Sequence, residues 1–366
     1  MNKWVMTGIL VSGLGMNVQA EQAVSPASKF VESLQIRGRV QTQAAYVEVE
    51  NDDGSDDYST LEVRRARIGL RGSLPHKVRA QLEANLVPGS SLSMRSAFLE
   101  WREYKPAYIK VGLDKPFSSI EENTSSASIL TIERSLVNAV AGGAPGALNG
   151  VSLSGTQSVL LYGAGVYTDT ENRNKDNEDA KYLFNAMAGV KLDALVGEGN
   201  TLLLRGAYLN SDDPNGAVGG NFDDVIIVGG KLGLGAFGLQ AEYFLSDNDG
   251  DEIKGFYVMP SFDISEKLQL VGRLEMADSD KARGIQAPSR YARRAASLKD
   301  VVDDEGSTLA RPSRGDEYQS LYVGLNYYIT GDGNKLMFGV EAAELDNTDA
   351  GKLESMTVST AWRMLF

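Results

Sequence analysis

The segment from Met356 to Phe366 alternates without a break. Met356, Val358, Thr360, Trp362, Met364 and Phe366 share one parity, and Thr357, Ser359, Ala361, Arg363 and Leu365 share the other. A period of two is the mark of a strand with two unlike faces. The same period recurs along the chain, over 34–49, 59–72, 77–86, 94–104, 106–114, 149–156, 158–169, 180–193, 201–211, 222–235, 236–247, 252–263, 267–278, 316–330, 335–345 and 353–366. This predicts sixteen strands. By length alone the chain has room for two soluble domains, but alternation throughout argues for a single closed sheet.

The connections sort into two kinds. Leu74-Pro75-His76, Lys105-Pro106 and Gly331-Asp332-Gly333-Asn334 are short, whereas 51–58, 115–148, 170–179, 212–221 and 279–315 are long. Short turns at one end and long loops at the other suit a transmembrane β-barrel, with both termini on the periplasmic side. About sixteen strands leave a water-filled channel, whereas about eight are filled by their own side chains. The amino-terminus agrees. Met1-Asn2-Lys3 is a short positive start, Trp4 to Met16 is mostly apolar, and Val18-Gln19-Ala20 fits a small-x-small cleavage site. Residues 1–20 read as a signal peptide, 21–33 as a short amino-terminal segment and 34–366 as the barrel. The apolar run is far short of the ~20 residues of a spanning helix.

Composition excludes several classes. The net charge is −13, the pI is about 4.8 and there is no cysteine. Thiol chemistry and thiolate metal sites are therefore absent, and nucleic-acid binding is disfavoured. A Ser–His mechanism needs a histidine beside its nucleophile, and the only histidine, His76, falls in a short turn. An enzyme is not expected, and neither is a cofactor or a metal. Asp247-Asn248-Asp249-Gly250-Asp251-Glu252 hints at calcium but lacks the EF-hand spacing. A purely structural role, as adhesin or phage receptor, is a third class.

Strand parity gives the interior. A charged side chain facing lipid near the midplane costs roughly 2–4 kcal/mol, so the apolar parity faces lipid and the charged parity faces the lumen. This puts Arg37 and Arg39 inside from the first strand, and Arg65, Arg67 and Arg71 from the second. Lys77, Arg79, Arg102 and Lys110 follow, then Lys191, Arg205, Lys231, Arg273 and Arg363. The inward acids are Glu83, Glu100, Asp114, Asp193, Glu242, Glu275 and Glu341. The wall is thus basic although the protein is acidic, and the surplus acid lies in the loops. The 279–315 loop carries eight bases, Arg293 among them, and reads either as a funnel for anions or as a solvated, lipopolysaccharide-contacting loop. Loop 115–148 is unusual in holding Ile120, Ile129, Leu130, Ile132, Leu136 and Val137. So much apolar surface calls for burial, and the barrel interior is the nearest place, so an inward-folded third loop is expected.

Particular stretches carry a family resemblance. A strand ending on a carboxy-terminal Phe resembles the closing strand of bacterial outer-membrane barrels. Glu62-Val63-Arg64-Arg65-Ala66-Arg67-Ile68-Gly69-Leu70-Arg71-Gly72 resembles the arginine-rich second strand of the phosphate-selective porin O/P family. So do Ala97 to Glu100, Val111 to Ser118, Glu121 to Ser126, and Glu133-Arg134-Ser135. The resemblance is strong over about 36–155 and only barrel-like beyond. It implies a homotrimeric anion channel of the Gram-negative outer membrane, in contact with lipid and lipopolysaccharide. Its solutes would be small, phosphate-like anions, phosphate or polyphosphate among them. The candidate pore-lining, anion-binding residues are Arg37, Arg39, Arg65, Arg67, Arg71, Arg79, Arg102, Lys110, Lys115 and Arg134. Loop lysines matter to the family's phosphate preference, and the third loop here offers only Lys115 and Arg134. The alternative is a general diffusion porin of weak or cation selectivity. There Glu121, Glu122 and Glu133, as loop acids, would face the basic wall across the constriction.

Overall fold

The computed structural model describes residues 31–366 apart from 52–53, 90, 143–145, 169–180, 213–221, 249, 281–283, 287–290, 296–300, 303–307, 311–312 and 348–350. The expected signal peptide, most of the 21–33 segment and much of the 279–315 loop lie outside the described residues. Sixteen antiparallel strands close into one barrel. They are β1 Ser33–Asn51, β2 Gly54–Leu74, β3 Val78–Asn85, β4 Ser93–Trp101, β5 Tyr108–Asp114, β6 Leu148–Gln157, β7 Leu160–Thr168 and β8 Tyr182–Lys191. The circuit continues with β9 Thr201–Ser211, β10 Asp224–Leu234, β11 Phe237–Asn248, β12 Asp251–Asp263, β13 Leu268–Ser279, β14 Glu317–Tyr328, β15 Asn334–Asn347 and β16 Gly351–Leu365. Each strand pairs with its neighbours in sequence. The seam is β1 on β16, from Arg39 opposite Leu365 to Glu50 opposite Glu354. Beyond the last strand, the Phe366 amide donates to Gly38 O at 3.1 Å.

Closure leaves no sheet edge, so every wall strand can satisfy its backbone within the membrane. The two faces differ as the parity requires. Ile68, Leu70, Leu82, Leu99, Val111 and Trp362 are exposed on the outside, while Gln41, Gln43, Glu100, Arg273, Glu275 and Arg363 are buried within. In β16 the even residues from Glu354 to Met364 are exposed or half-exposed and the odd ones from Leu353 to Arg363 are buried. Trp362 donates its indole N–H to Asn334 Oδ1 at 2.8 Å, the polar contact that an interfacial ring seeks.

Three expectations need correction. The 51–58 stretch is not a long loop: β1 and β2 run on past the membrane pattern, and Asn51 pairs with Gly54. Backbone pairing outlasts hydrophobic alternation here, because a polar hairpin above the lipid needs no apolar face. Lys77 and Lys191 stand at the rim of the barrel rather than along its wall. Both are exposed at the short-turn end, Lys77 in the left-handed region at φ 53° beside Glu103.

Parity also breaks twice. Gln41 pairs with Arg65 but Thr42 pairs with Val63, so Arg64 is an extra residue in β2. Glu83 pairs with Ser96 but Ala84 pairs with Met94, so Arg95 is extra in β4. A β-bulge of this kind re-aims a side chain and flips the parity beyond it. Above the first bulge Leu61 is outward, 80% exposed, although it shares odd parity with inward Arg65 and Arg67.

Candidate functional site

Loop 115–148 carries two short helices, α1 (Ile120–Asn123) and α2 (Leu136–Ala141). Each starts at a serine cap. Ser119 accepts from the Glu122 amide at 2.8 Å, and Ser135 accepts from the Asn138 amide at 3.0 Å. A serine cap satisfies only one of the free amides of a first turn. Inward glutamates from the wall take others. Glu242 of β11 accepts from the Ile120 amide at 2.5 Å, the Glu121 amide at 3.0 Å and the Tyr257 hydroxyl at 2.5 Å. Glu275 of β13 accepts from the Val137 amide at 3.2 Å. Negative charge at helix N-termini is also favoured by the local dipoles.

The rest of the loop is tied down by cations and amides from other strands. Arg363 of β16 donates to the carbonyls of Ile129, Thr131 and Ile132 at 3.0, 3.0 and 2.6 Å. Lys335 of β15 donates to Ile129 O at 3.2 Å, and Asn326 of β14 to Leu130 O at 2.8 Å. Arg205 of β9 donates to Ser118 O at 2.5 Å, and Asn185 of β8 to Phe117 O at 2.8 Å. Arg39 of β1 donates to Ser126 at 2.5 Å and Ser125 at 3.0 Å. Ile120, Ile129, Ile132 and Val137 are at most 5% exposed, so the apolar surface that the sequence flagged is covered.

The three loop acids are all engaged. Glu133 sits in a fork made by the β2 bulge: Arg64 Nε lies 2.6 Å from one carboxylate oxygen and Arg65 3.1 Å from the other. Burial works to raise the Glu133 carboxyl, but the Arg65 and Arg64 guanidiniums outweigh it and hold it at about 2. Glu122 pairs with Lys115 and, at 3.3 Å, with Arg134. Burial raises Glu122, yet Arg134 and Lys115 bring it below its ordinary value. Burial pushes the Lys115 ammonium down to about 8 against the pull of Glu122. Glu121 is 1% exposed, accepts from the Ser135 amide at 3.0 Å and lies 4.0 Å from Arg273. Burial raises it despite that guanidinium. Arg273 is chiefly held by Glu275 at 2.5 Å and Glu341 at 3.0 Å.

The bases divide into two groups. Arg65, Arg273, Lys335 and Arg363 are at most 6% exposed and committed to the loop or to acids. Arg134 is likewise spent on the carbonyls of Glu121 and Thr124, at 3.1 and 2.8 Å. On β1 to β5 the interior is half-open. Arg37 is exposed, and Arg39, Arg67, Arg71, Arg79, Arg95 and Lys110 are partly exposed. Arg39 and Arg67 are cross-strand partners, like charges set opposite each other. Among the described residues, Arg37, Arg39, Arg71 and Arg95 form no ion pair; Arg39 bonds only serines and Arg71 only Gln81. Arg67 reaches Asn85 at 2.9 Å and Glu83 at 3.5 Å. Lower down, Glu100 gathers Arg79 at 2.9 Å, Arg102 at 3.3 Å and Lys110 at 3.9 Å, and Lys110 also holds Asp114 at 2.6 Å.

Sequence reasoning missed Arg64 and Arg95, whose parity points to lipid until a bulge is known. It missed Lys335 because that residue opens its strand. It placed Glu242 and Glu275 inside but gave them no partner; the S-x-x-E at Ser119–Glu122 was a readable capping signal.

A closed sixteen-strand barrel with an apolar exterior and a polar, half-open interior points to an outer-membrane channel. The chain belongs to the phosphate-selective porin O and P family, whose profile matches residues 34–233, and its place is the outer membrane of a Gram-negative bacterium. The fold is similar to an anion-selective porin from Comamonas acidovorans, with TM-score 0.62, 13% identity and coverage of 91% of this chain and 99% of that one. It is similar to the outer membrane channel DcaP of Acinetobacter baumannii, with TM-score 0.58, 15% identity and coverage of 91% and 97%. It is also similar to a trimer form of OmpT of Vibrio cholerae, with TM-score 0.59, 10% identity and coverage of 91% and 99%. At these identities the likeness is one of fold. Among curated proteins, none matches the chain significantly.

Proposed function

We propose that the channel prefers small oxyanions of the phosphate type, and that loop 115–148 lies in the lumen and narrows it against the β1–β5 wall. One observation carries the reading: the half-open wall holds arginines without acid partners, while every acid of the loop is already engaged. The inward side chains of β11 to β16 that meet the loop are buried, so water has the arginine face to run along. Arginine suits such a face because it stays charged and its planar fork matches oxyanions. Several weak sites in a row let an anion enter and leave, where one tight clamp would trap it. The cross-field alternative needs free carboxylates on the loop. Glu122 and Glu133 are spent on bases and Glu121 is buried, which disfavours it.

The test is the planar-bilayer reversal potential in a salt gradient. The wild type is expected to favour anions. Arg67→Gln is expected to shift the potential toward cations more than Arg293→Gln, whose arginine is exposed, donates to Gln286 at 3.0 Å and borders the loop cavity from its outer side. Charge inside the barrel is less screened than charge at the rim. A cation-selective wild type, or equal shifts from both variants, would defeat the reading. Assembly as a homotrimer and export on a 1–20 signal peptide belong to the same proposal, supported by family membership and the amino-terminal pattern.

A further inference from the structure

The base of β10 presents a cation that neither the loop anchors nor the arginine face uses. Lys231 is half-buried, and among the described residues its ammonium makes one hydrogen bond, to Thr124 Oγ1 at 3.4 Å. An ammonium has three donors, so two are left to find a partner. The acids that it feels are Glu242 and Glu121. Neither is within ion-pair distance, and both accept hydrogen bonds from the backbone of the loop. Lys231 faces a cavity of about 190 Å³ between the loop and strands β9 to β12. That is room for about six waters by their share of the liquid, or for one small organic acid.

The chemistry of the cavity is divided. Lys231, Thr124, Ser128, Gln240 and Ser261 make one polar side, which Glu121 also borders with its carboxyl turned to the Ser135 amide, and Ile129, Leu130 and Met259 make an apolar one. Thr201 opens β9 and Ser261 lies near the end of β12, so the cavity sits at the short-turn, periplasmic end of the barrel. A phosphate ion would meet the ammonium and leave the apolar side unfilled. A short alkyl carboxylate would satisfy both, its head on Lys231 and its tail against Ile129 and Met259.

We propose that this cavity is a binding site for small amphiphilic monocarboxylates on the periplasmic side of the loop, distinct from the arginine face. The proposal rests on the barrel being a channel and does not depend on its ion preference. The site would hold an acid with an apolar tail as it passes, and would tune the channel toward such solutes.

The experiment is a current-block titration of the full-length channel in planar bilayers with acetate, hexanoate and hexylammonium. Hexanoate is expected to block at a concentration about tenfold lower than acetate, since added methylenes leave water for the apolar side. Hexylammonium is expected not to block. Lys231→Gln should weaken hexanoate block about tenfold, the size expected of a lost charge-assisted contact, and Lys231→Arg should retain it. Ile129→Ser and Met259→Ser should abolish the hexanoate-to-acetate ratio while leaving acetate block alone, which keeps the test readable if Lys231→Gln inserts poorly. Equal block by the two acids, or an unchanged hexanoate block in Lys231→Gln, overturns the proposal. A cation-selective reversal potential would sink the preceding reading without touching this ratio.

Discussion

Glu133 shows how one residue can tie a long loop to the barrel wall. Two consecutive arginines reach it because the bulge at Arg64 lets neighbours of opposite parity point the same way. Its folded-state carboxyl is held at about 2, below an ordinary value of 4.5. The sign follows: the fork contributes fully above about pH 4.5, and the contribution is lost as pH falls toward 2. Glu121 works in the opposite sense, since burial raises it; its contribution is greatest in acid and declines as pH rises through its shifted value. We therefore expect the protection factors of amides in the loop near Glu133, taken against the intrinsic exchange rate at each pH, to be unchanged from pH 7 to 5 and to fall between about 4.5 and 2. Protection already lost at pH 5 would show that the fork does not hold the loop. Gly112 is a second such residue. It has φ +126°, and a Cβ there would stand 2.3 Å from the Ala97 carbonyl oxygen. Strain in this region costs on the order of 1–3 kcal/mol. Gly112→Ala is expected to lower the thermal unfolding midpoint of the detergent-solubilised barrel, and an unchanged midpoint would mean that β4 and β5 part easily.

At the scale of elements, α1 and α2 have four and six residues and are too short to stand alone. They persist because inward glutamates of β11 and β13 accept their first-turn amides. Removing one such acceptor leaves buried donors unpaired, at about 1–3 kcal/mol. Glu242→Ala is expected to free α1 and with it the adjoining part of the loop. Single-channel records should then show noisier current and a broader conductance distribution, with the barrel itself still resistant to denaturant. Quiet records at wild-type conductance would show that Arg205 and Arg363 suffice as anchors. The strands themselves were legible from alternation, and the observed bounds differ from the expected ones by a few residues. The exception, 51–58, is a polar hairpin whose pairing has no hydrophobic trace.

For the whole molecule, the charges separate by place. The net charge is −13, yet the half-open wall of β1 to β5 is basic. Net charge governs solubility and long-range steering, whereas the field in a narrow pore is set by the few charges that line it. Export is a whole-molecule matter as well. Amino-terminal sequencing of the outer-membrane form is expected to begin at Glu21, and retention of Met1 would contradict a cleaved signal. The sequence by itself determined the barrel, its strand number, its polarity inside and out, and the length and apolar character of the loop. A membrane allows only closed structures, and period two assigns each side chain to a face. What only the tertiary structure decided was which inward charges stay available. Parity names Arg65, Arg67 and Arg363 alike as inward. Contacts between residues far apart in the chain bury Arg65 and Arg363 under the loop and leave Arg67 partly exposed beside Asn85 and Glu83. Bulges that no pattern announces add Arg64 and Arg95. Whether an inward charge is spent or free depends on its partner's position in space, and alternation along one strand carries no information about that partner.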